Sequence, residues 1–301
     1  MSRSGTPDPA KERDAHSDFS ISVHRLLNEK GYPFHFAVLQ HLRSLAEEER
    51  VRWVPEVAEF PVELRGEPTH IDIVLSSMDA PIQFVVECKR ANPAFSHWCF
   101  FRTPAMRHRP GAGAIVVEKL QRSSGQGSVP IYADGARIAY ASTTYGVALE
   151  ARAPNATGDT TTGRGKGAIE EAIAQVFRGL NGLVDYCTID TGQRKSLERR
   201  FFAPVIVTTA KLWTSDADLT GADLTTGEFD PARATLTPCN FLIFQYHLSP
   251  KLKHQHPTRE FTGKRLGDAL DRHYVRSVLI VNATALEPFL RFLTDTIDLD
   301  A

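Results

Sequence analysis

Apolar positions along the chain change period several times, and each change marks an element. The first 16 residues are polar, carry Pro7 and Pro9, and are expected to be a disordered lead-in. Ile21, Val23, Leu26 and Leu27 predict a short helix over Asp18–Asn28, ending near Gly31. Phe34, Val38, Leu42 and Leu45 then form one stripe at helical spacing, which predicts a helix over Pro33–Glu49 with Pro33 in its first turn. From Val51 the period becomes two. Val51–Phe60 reads as a strand interrupted by Pro55, His70–Leu75 alternates, and Ile82–Lys89 is apolar up to its charged end. Ser76–Pro81 supplies turn residues, so the last two strands form a hairpin.

Farther along, Ala91–Gln121 mixes aromatics with arginines, and Ile131–Leu149 reads as two strands around Thr143–Gly146. The stretch 154–167, rich in Thr and Gly, is expected to be a mobile loop. Ile169, Ala172, Ile173, Val176 and Leu180 share one face of a helix over Ala168–Leu180, with Gln175 and Arg178 on its polar side. Strands follow at Phe202–Ala210, Asn240–His247 and Ser277–Asn282, and a closing helix at Leu286–Leu293. The segment 214–237 is expected to be loosely structured. No internal repeat is visible, and residues 17–301 are expected to form a single α/β domain.

Composition narrows the function classes. The chain has 301 residues, is 42% hydrophobic and 24% charged, and has a formal net charge of −1. These are globular values and exclude a collagen-like or wholly disordered chain. The four cysteines, Cys88, Cys99, Cys187 and Cys239, contain no CxxC pair, so a zinc ribbon or redox motif is not expected and reduced thiols in a cytoplasmic protein are. No apolar run is long enough to cross a membrane, and no secretory signal is recognisable. GRGKG lacks the length and the Ser/Thr of a P-loop, and no GxSxG occurs. Lys253-His254-Gln-His256 is read as a solvated basic loop.

The chemistry concentrates in the hairpin. Alternation puts Glu87 and Lys89 on one face and Cys88 on the other. With the turn centred on residues 79–80, paired residue numbers sum to about 159, which sets Asp72 opposite Glu87, about 5 Å away on the same face. Two such carboxylates repel unless a cation lies between them. Mg²⁺ or Mn²⁺ would satisfy both and leave room for water and a phosphate oxygen. Lys89 could then orient or deprotonate that water and offset charge on the phosphoryl group. The plainer alternative is a Glu87–Lys89 ion pair at a solvated sheet edge.

The pattern D-x14-E-x-K on a hairpin, preceded by a helix and a strand and followed by a helix–strand unit, resembles the PD-(D/E)XK or restriction-endonuclease-like nuclease superfamily. The resemblance spans about residues 31–90 and 168–210 as an αβββαβ core with a mixed central sheet flanked by helices; residues 214–301 would be strand and helix additions. GYPFHFAVLQHL, THIDIVL and ECKRANPAFSHW resemble an uncharacterised bacterial branch whose members often read Gly-Tyr-Pro-Leu-Glu, Arg-Glu-Ile-Asp-Ile and Glu-Cys-Lys. It implies that Asp72 and Glu87 hold the metal, that Lys89 is the catalytic lysine, and that Gln175 contacts phosphate or water. His35 stands where that branch carries a glutamate. The missing ligand could come from Glu56, from Glu59, or from His35 as a neutral imidazole, or be dispensed with. A silent site that binds nucleic acid without cutting it is the rival outcome.

Local charge is consistent with a nucleic-acid partner, DNA foremost. Cys88–Arg122 carries seven Lys/Arg against Glu118 alone, with Phe95, Trp98, Phe100 and Phe101 among them. Arg90, Arg102, Arg107, Arg109 and, on the later helix, Arg178 are the candidate phosphate contacts; Arg194, Lys195, Arg199 and Arg200 form a second patch. The aromatics are also natural core residues. No sequence-reading module is recognisable, so specificity would come from loops, a second copy of the chain or a partner protein.

Overall fold

The computed structural model describes residues 23, 26, 27, 31–102, 114–122, 131–139, 143–152, 167–190, 199–249, 252 and 274–296. The lead-in, most of the first short helix, Arg107, Arg109, Arg194, Lys195, the loop at 154–166 and the histidines of the HxH stretch lie outside these residues.

The chain is mixed α/β. Helix α1 (Tyr32–Glu47) leads into three antiparallel strands, β1 (Trp53–Leu64), β2 (Glu67–Ser77) and β3 (Ile82–Lys89). Strands β4 (His97–Phe101), β5 (Ala114–Arg122), β6 (Ile131–Ala139), β7 (Thr144–Tyr145) and β8 (Val147–Ala151) intervene before helix α2 (Ala168–Asp190). Next come β9 (Arg199–Thr208), β10 (Lys211–Ser215), β11 (Thr237–Cys239), β12 (Phe241–His247), β13 (Val275–Asn282) and helix α3 (Leu286–Thr296). The main sheet runs β1-β2-β3-β9-β13-β12-β7, with β5 joined to β9 and β6. It is mixed, because β9 is parallel to β3 and β13 while β12 is antiparallel to β13. A smaller sheet, β11-β10-β4-β8, holds the aromatic stretch, and Trp98 and Phe100 are buried core residues.

Alternation along the central strands sorts two apolar clusters. Phe84, Val86, Cys88, Val205 and Val207 pack with α1 and α3; Val85, Phe202 and Ile206 pack with α2 and the small sheet. Trp53 stacks on Phe84 at 4.3 Å and donates from its indole to the Leu290 carbonyl, which ties the meander to α3. Glu118, read as the lone acid of a basic surface, is instead buried against Arg276 at 2.6 Å.

Helix α2 runs to Asp190, ten residues past the expected end, because its glycines are contact points and not stops. A Cβ on Gly179 would lie 2.9 Å from Ile71 Cγ1, and one on Gly182 would lie 2.9 Å from Val62 Cγ2 and 3.3 Å from the Glu63 carbonyl oxygen. These residues bring the helix close against β1 and β2. In a free helix Gly→Ala adds about 1 kcal/mol of stability. Here overpacking wins, and Gly182→Ala is expected to lower stability by about 1–3 kcal/mol. A lower midpoint in urea denaturation is the expected reading; an unchanged or higher midpoint refutes the close-approach argument.

Candidate metal centre

The β2–β3 register places Ile73 opposite Val86, Val74 opposite Val85 and Leu75 opposite Phe84, the register expected from the turn. Asp72 and Glu87 are next along this register, past the last ladder pair. Asp72 uses the vacancy in the ladder: its Oδ2 accepts the Cys88 N–H at 2.7 Å. The side chain therefore caps the ladder where a backbone carbonyl would otherwise stand.

A second acid arrives through an irregularity in β1. Between Pro55 and Val57 the pairing shifts by one residue, leaving Glu56 as the extra member. Ala58 then pairs with Ile73 and Phe60 with Ile71, so Glu59 lies across from Asp72. Without that bulge Glu59 would be level with Ile71 and turned to the other face. Glu59 has a backbone φ of 52°, in the left-handed region that non-glycine residues seldom adopt. Glu56 does not join the group: its carboxylate accepts from Gln83 Nε2 at 2.9 Å, toward the turn.

His35 comes from the first turn of α1. Gly31, with φ 78°, opens the helix; its carbonyl accepts the N–H groups of Phe34 and His35 at 3.1 Å. This turns the imidazole inward, where it is 4% exposed and not half-buried as its helix position alone implies. Its Nδ1 lies 2.8 Å from Glu59 Oε1 and its Nε2 3.1 Å from the Asp72 carbonyl oxygen. Ligand atoms of His35, Glu59 and Asp72 all fall within 4.8 Å of one another.

Lys89 completes the group from the end of β3. Its ammonium sits 3.1 Å from Glu171 Oε2 and donates to Gln175 Oε1 at 3.3 Å. The Glu87–Lys89 ion pair is thus not formed; Lys89 is held by two groups one turn apart on α2. Glu171 was the participant sequence reasoning missed, although its i, i+4 spacing from Gln175 was the available signal. Among the described residues no hydrogen-bond donor reaches the Glu87 carboxylate. Arg178, the next residue along that helix face, acts on Glu87 through its charge alone, and its buried Nε has no hydrogen-bond partner among the described residues.

These side chains line one cavity of about 510 Å³, with Gly31, Tyr32, His35, Glu59, Asp72, Glu87, Lys89, Arg90 and Gln175 in its wall. Arg102 is elsewhere, paired with Asp216 at 2.9 Å beside the small sheet. Burial raises the pKa of both central acids. Glu87 is pushed up to about 8, by desolvation first and by the Asp72 charge second. Desolvation also raises Asp72, against the lowering effect of its Cys88 hydrogen bond. The donor set of oxygens and one imidazole at His35, Glu59 and Asp72 suits a divalent metal.

Raised carboxyl pKa values mean that the folded protein binds these protons more tightly than the unfolded chain. Their contribution is full below the ordinary glutamate value of 4.5 and is lost as pH rises through about 8. Metal-free Glu87→Gln should therefore melt above the unsubstituted protein at pH 9, with the gap closing toward pH 5. A gap that does not change with pH contradicts the assigned burial of Glu87.

No helix among the described residues is long and apolar enough to cross a membrane. In comparisons with known proteins, no family model matches this chain, and no curated protein or solved structure matches it at a significant level.

Proposed function

We propose that this protein is a metal-dependent nuclease that hydrolyses phosphodiester bonds of nucleic acid, with DNA as the first substrate to test. One observation carries the reading: Asp72, Glu87 and Lys89 line a single cavity, where no donor among the described residues reaches the Glu87 carboxylate. With β4–β8 as an insertion after β3, the order α1-β1-β2-β3-α2-β9, an antiparallel meander followed by a helix and a strand parallel to β3, supports a restriction-endonuclease-like core.

Hydrolysis adds a water oxygen to phosphorus, breaks the P–O ester bond, and needs a proton taken from the water and one delivered to the leaving oxygen. A divalent ion, Mg²⁺ or Mn²⁺, would supply Lewis acidity and neutralise phosphate charge. Asp72 and Glu87 provide the anionic seat, and the Cys88 N–H fixes the Asp72 carboxylate. Lys89 contributes a cation to stabilise the charge that builds on the phosphoryl oxygens, and its third N–H remains for substrate or water. Glu171 and Gln175 position that ammonium. Arg90, in the cavity wall, is placed to meet a phosphate.

Cleavage of single- and double-stranded DNA and RNA with Mg²⁺ or Mn²⁺ tests this reading. Asp72→Asn and Lys89→Ala should each reduce the rate about a hundredfold or more, with the fold retained by circular dichroism. Full activity in either variant overturns the assignment, and nucleic-acid binding without cleavage by the unsubstituted protein favours the silent module. Gln175→Ala should cost roughly tenfold to a hundredfold in kcat through a loosened Lys89, with KM little altered. A KM effect alone would make Gln175 a substrate contact instead.

A further inference from the structure

Helix α1 sends its aromatic residues in two directions. Phe34 packs on the core beneath the helix, whereas Tyr32 and Phe36 are 54% and 53% exposed and belong to neither apolar cluster. They stand four residues apart and so share one side of the helix. Both are held in place. Tyr32 follows the left-handed Gly31 that opens the helix, and Phe36 stacks on the buried His35 ring with centroids 5.0 Å apart and planes 13° from parallel.

Tyr32 also lines the cavity, whose wall divides by chemistry. Asp72, Glu87, Lys89 and Arg90 bring charge to it; Tyr32, Pro68 and Thr69 bring none. Pro68 and Thr69 lie where β2 runs on past its last pair with β3, Ile73 with Val86. Pro68 is four residues from Asp72, about 13 Å along the strand. A nucleotide has the same two parts, an anionic phosphate and a flat, uncharged base.

An exposed ring beside such a site discriminates between single and double strands. In a duplex both faces of each base are covered by its neighbours, and only the edges show in the grooves. A ring in a cavity wall can therefore stack only on a base outside the helical stack. The volume agrees: about 510 Å³ falls in the range of about 300–1,000 Å³ that encloses one small ligand, the scale of a nucleotide and not of two paired strands.

We infer that this cavity takes single-stranded nucleic acid, with Tyr32 as the stacking surface for the base beside the scissile phosphate and Phe36 extending the ledge to the next base. The inference rests on the nuclease reading above and adds to it the choice of strand state. Lys89 and Arg90 supply the positive charge that an anionic strand requires, and aromatic rings in series hold successive bases without regard to sequence.

The test measures fluorescence anisotropy of labelled oligonucleotides with the full chain in Mg²⁺, before product appears on a gel. The probes are oligothymidylate, the same strand paired with oligoadenylate, an abasic strand of equal length, and oligouridylate. Oligothymidylate should bind roughly tenfold or more tighter than the duplex and the abasic strand. Tyr32→Ala should remove most of that advantage while changing duplex and abasic binding less than about threefold, and Tyr32→Phe, which keeps the ring, should retain it. Equal binding of single strand and duplex, or equal weakening of oligothymidylate and the abasic strand by Tyr32→Ala, overturns the inference. Oligouridylate bound as tightly as oligothymidylate extends the site to RNA; weaker binding restricts it to DNA, and the ledge stands in both cases. Cleavage is scored separately. Ring-dependent binding of single strands without cleavage sustains the inference and defeats the nuclease reading, whereas cleavage of duplex that Tyr32→Ala leaves unchanged does the reverse.

Discussion

Burying negative charge without a partner is the constraint on which the cavity depends. Asp72, Glu87 and Glu59 line one cavity from three neighbouring strands, where the Cys88 N–H meets Asp72, His35 meets Glu59 and Lys89 is engaged by α2. The rest of the sheet is apolar and stable enough to hold them there. Two tightly packed clusters, one under α1 and α3 and one under α2, fix the strands that carry the charges. Relieving the repulsion by protonation neutralises the acids; relieving it with a metal keeps their charge and creates a Lewis acid.

Helices α1 and α2 are tied to this arrangement by different devices. Helix α1 begins at a left-handed glycine, so that its first turn, and not its middle, supplies His35. Helix α2 approaches β1 and β2 through Gly179 and Gly182, and the same approach brings Glu171 and Gln175 within reach of Lys89. Packing and chemistry are therefore the same contact seen at two levels. A change that lifts α2 from the sheet also withdraws the groups that hold the lysine.

The hairpin was legible because its information is local. Two alternating strands and a short turn leave one register that keeps both apolar faces buried, so the pairing of residues 73–76 with 83–86 follows from the sequence. The choice between Glu56 and Glu59 was not legible, since it rests on a one-residue bulge visible only once β1 is paired. Pro55 was its trace, as proline inside a strand marks an edge or a bulge. Strands β4 and β5 were missed because three of their partners, β8 and β10 for one and β9 for the other, lie far along the chain. Helix α2 was cut short because Gly182 resembles a stop until Val62 is seen against it. The basic stretch dissolves for similar reasons: Arg102 is drawn to Asp216 and Glu118 into the core, and neither destination is written in local pattern.

His35 eases the crowding of charge beneath α1. A glutamate at this helix position would bring a further carboxylate beside Glu59 and Asp72. The imidazole instead sets one nitrogen against the Asp72 carbonyl at 3.1 Å and the other 2.8 Å from Glu59. The helix therefore reaches the cavity wall without adding to the negative charge that the strands already bury.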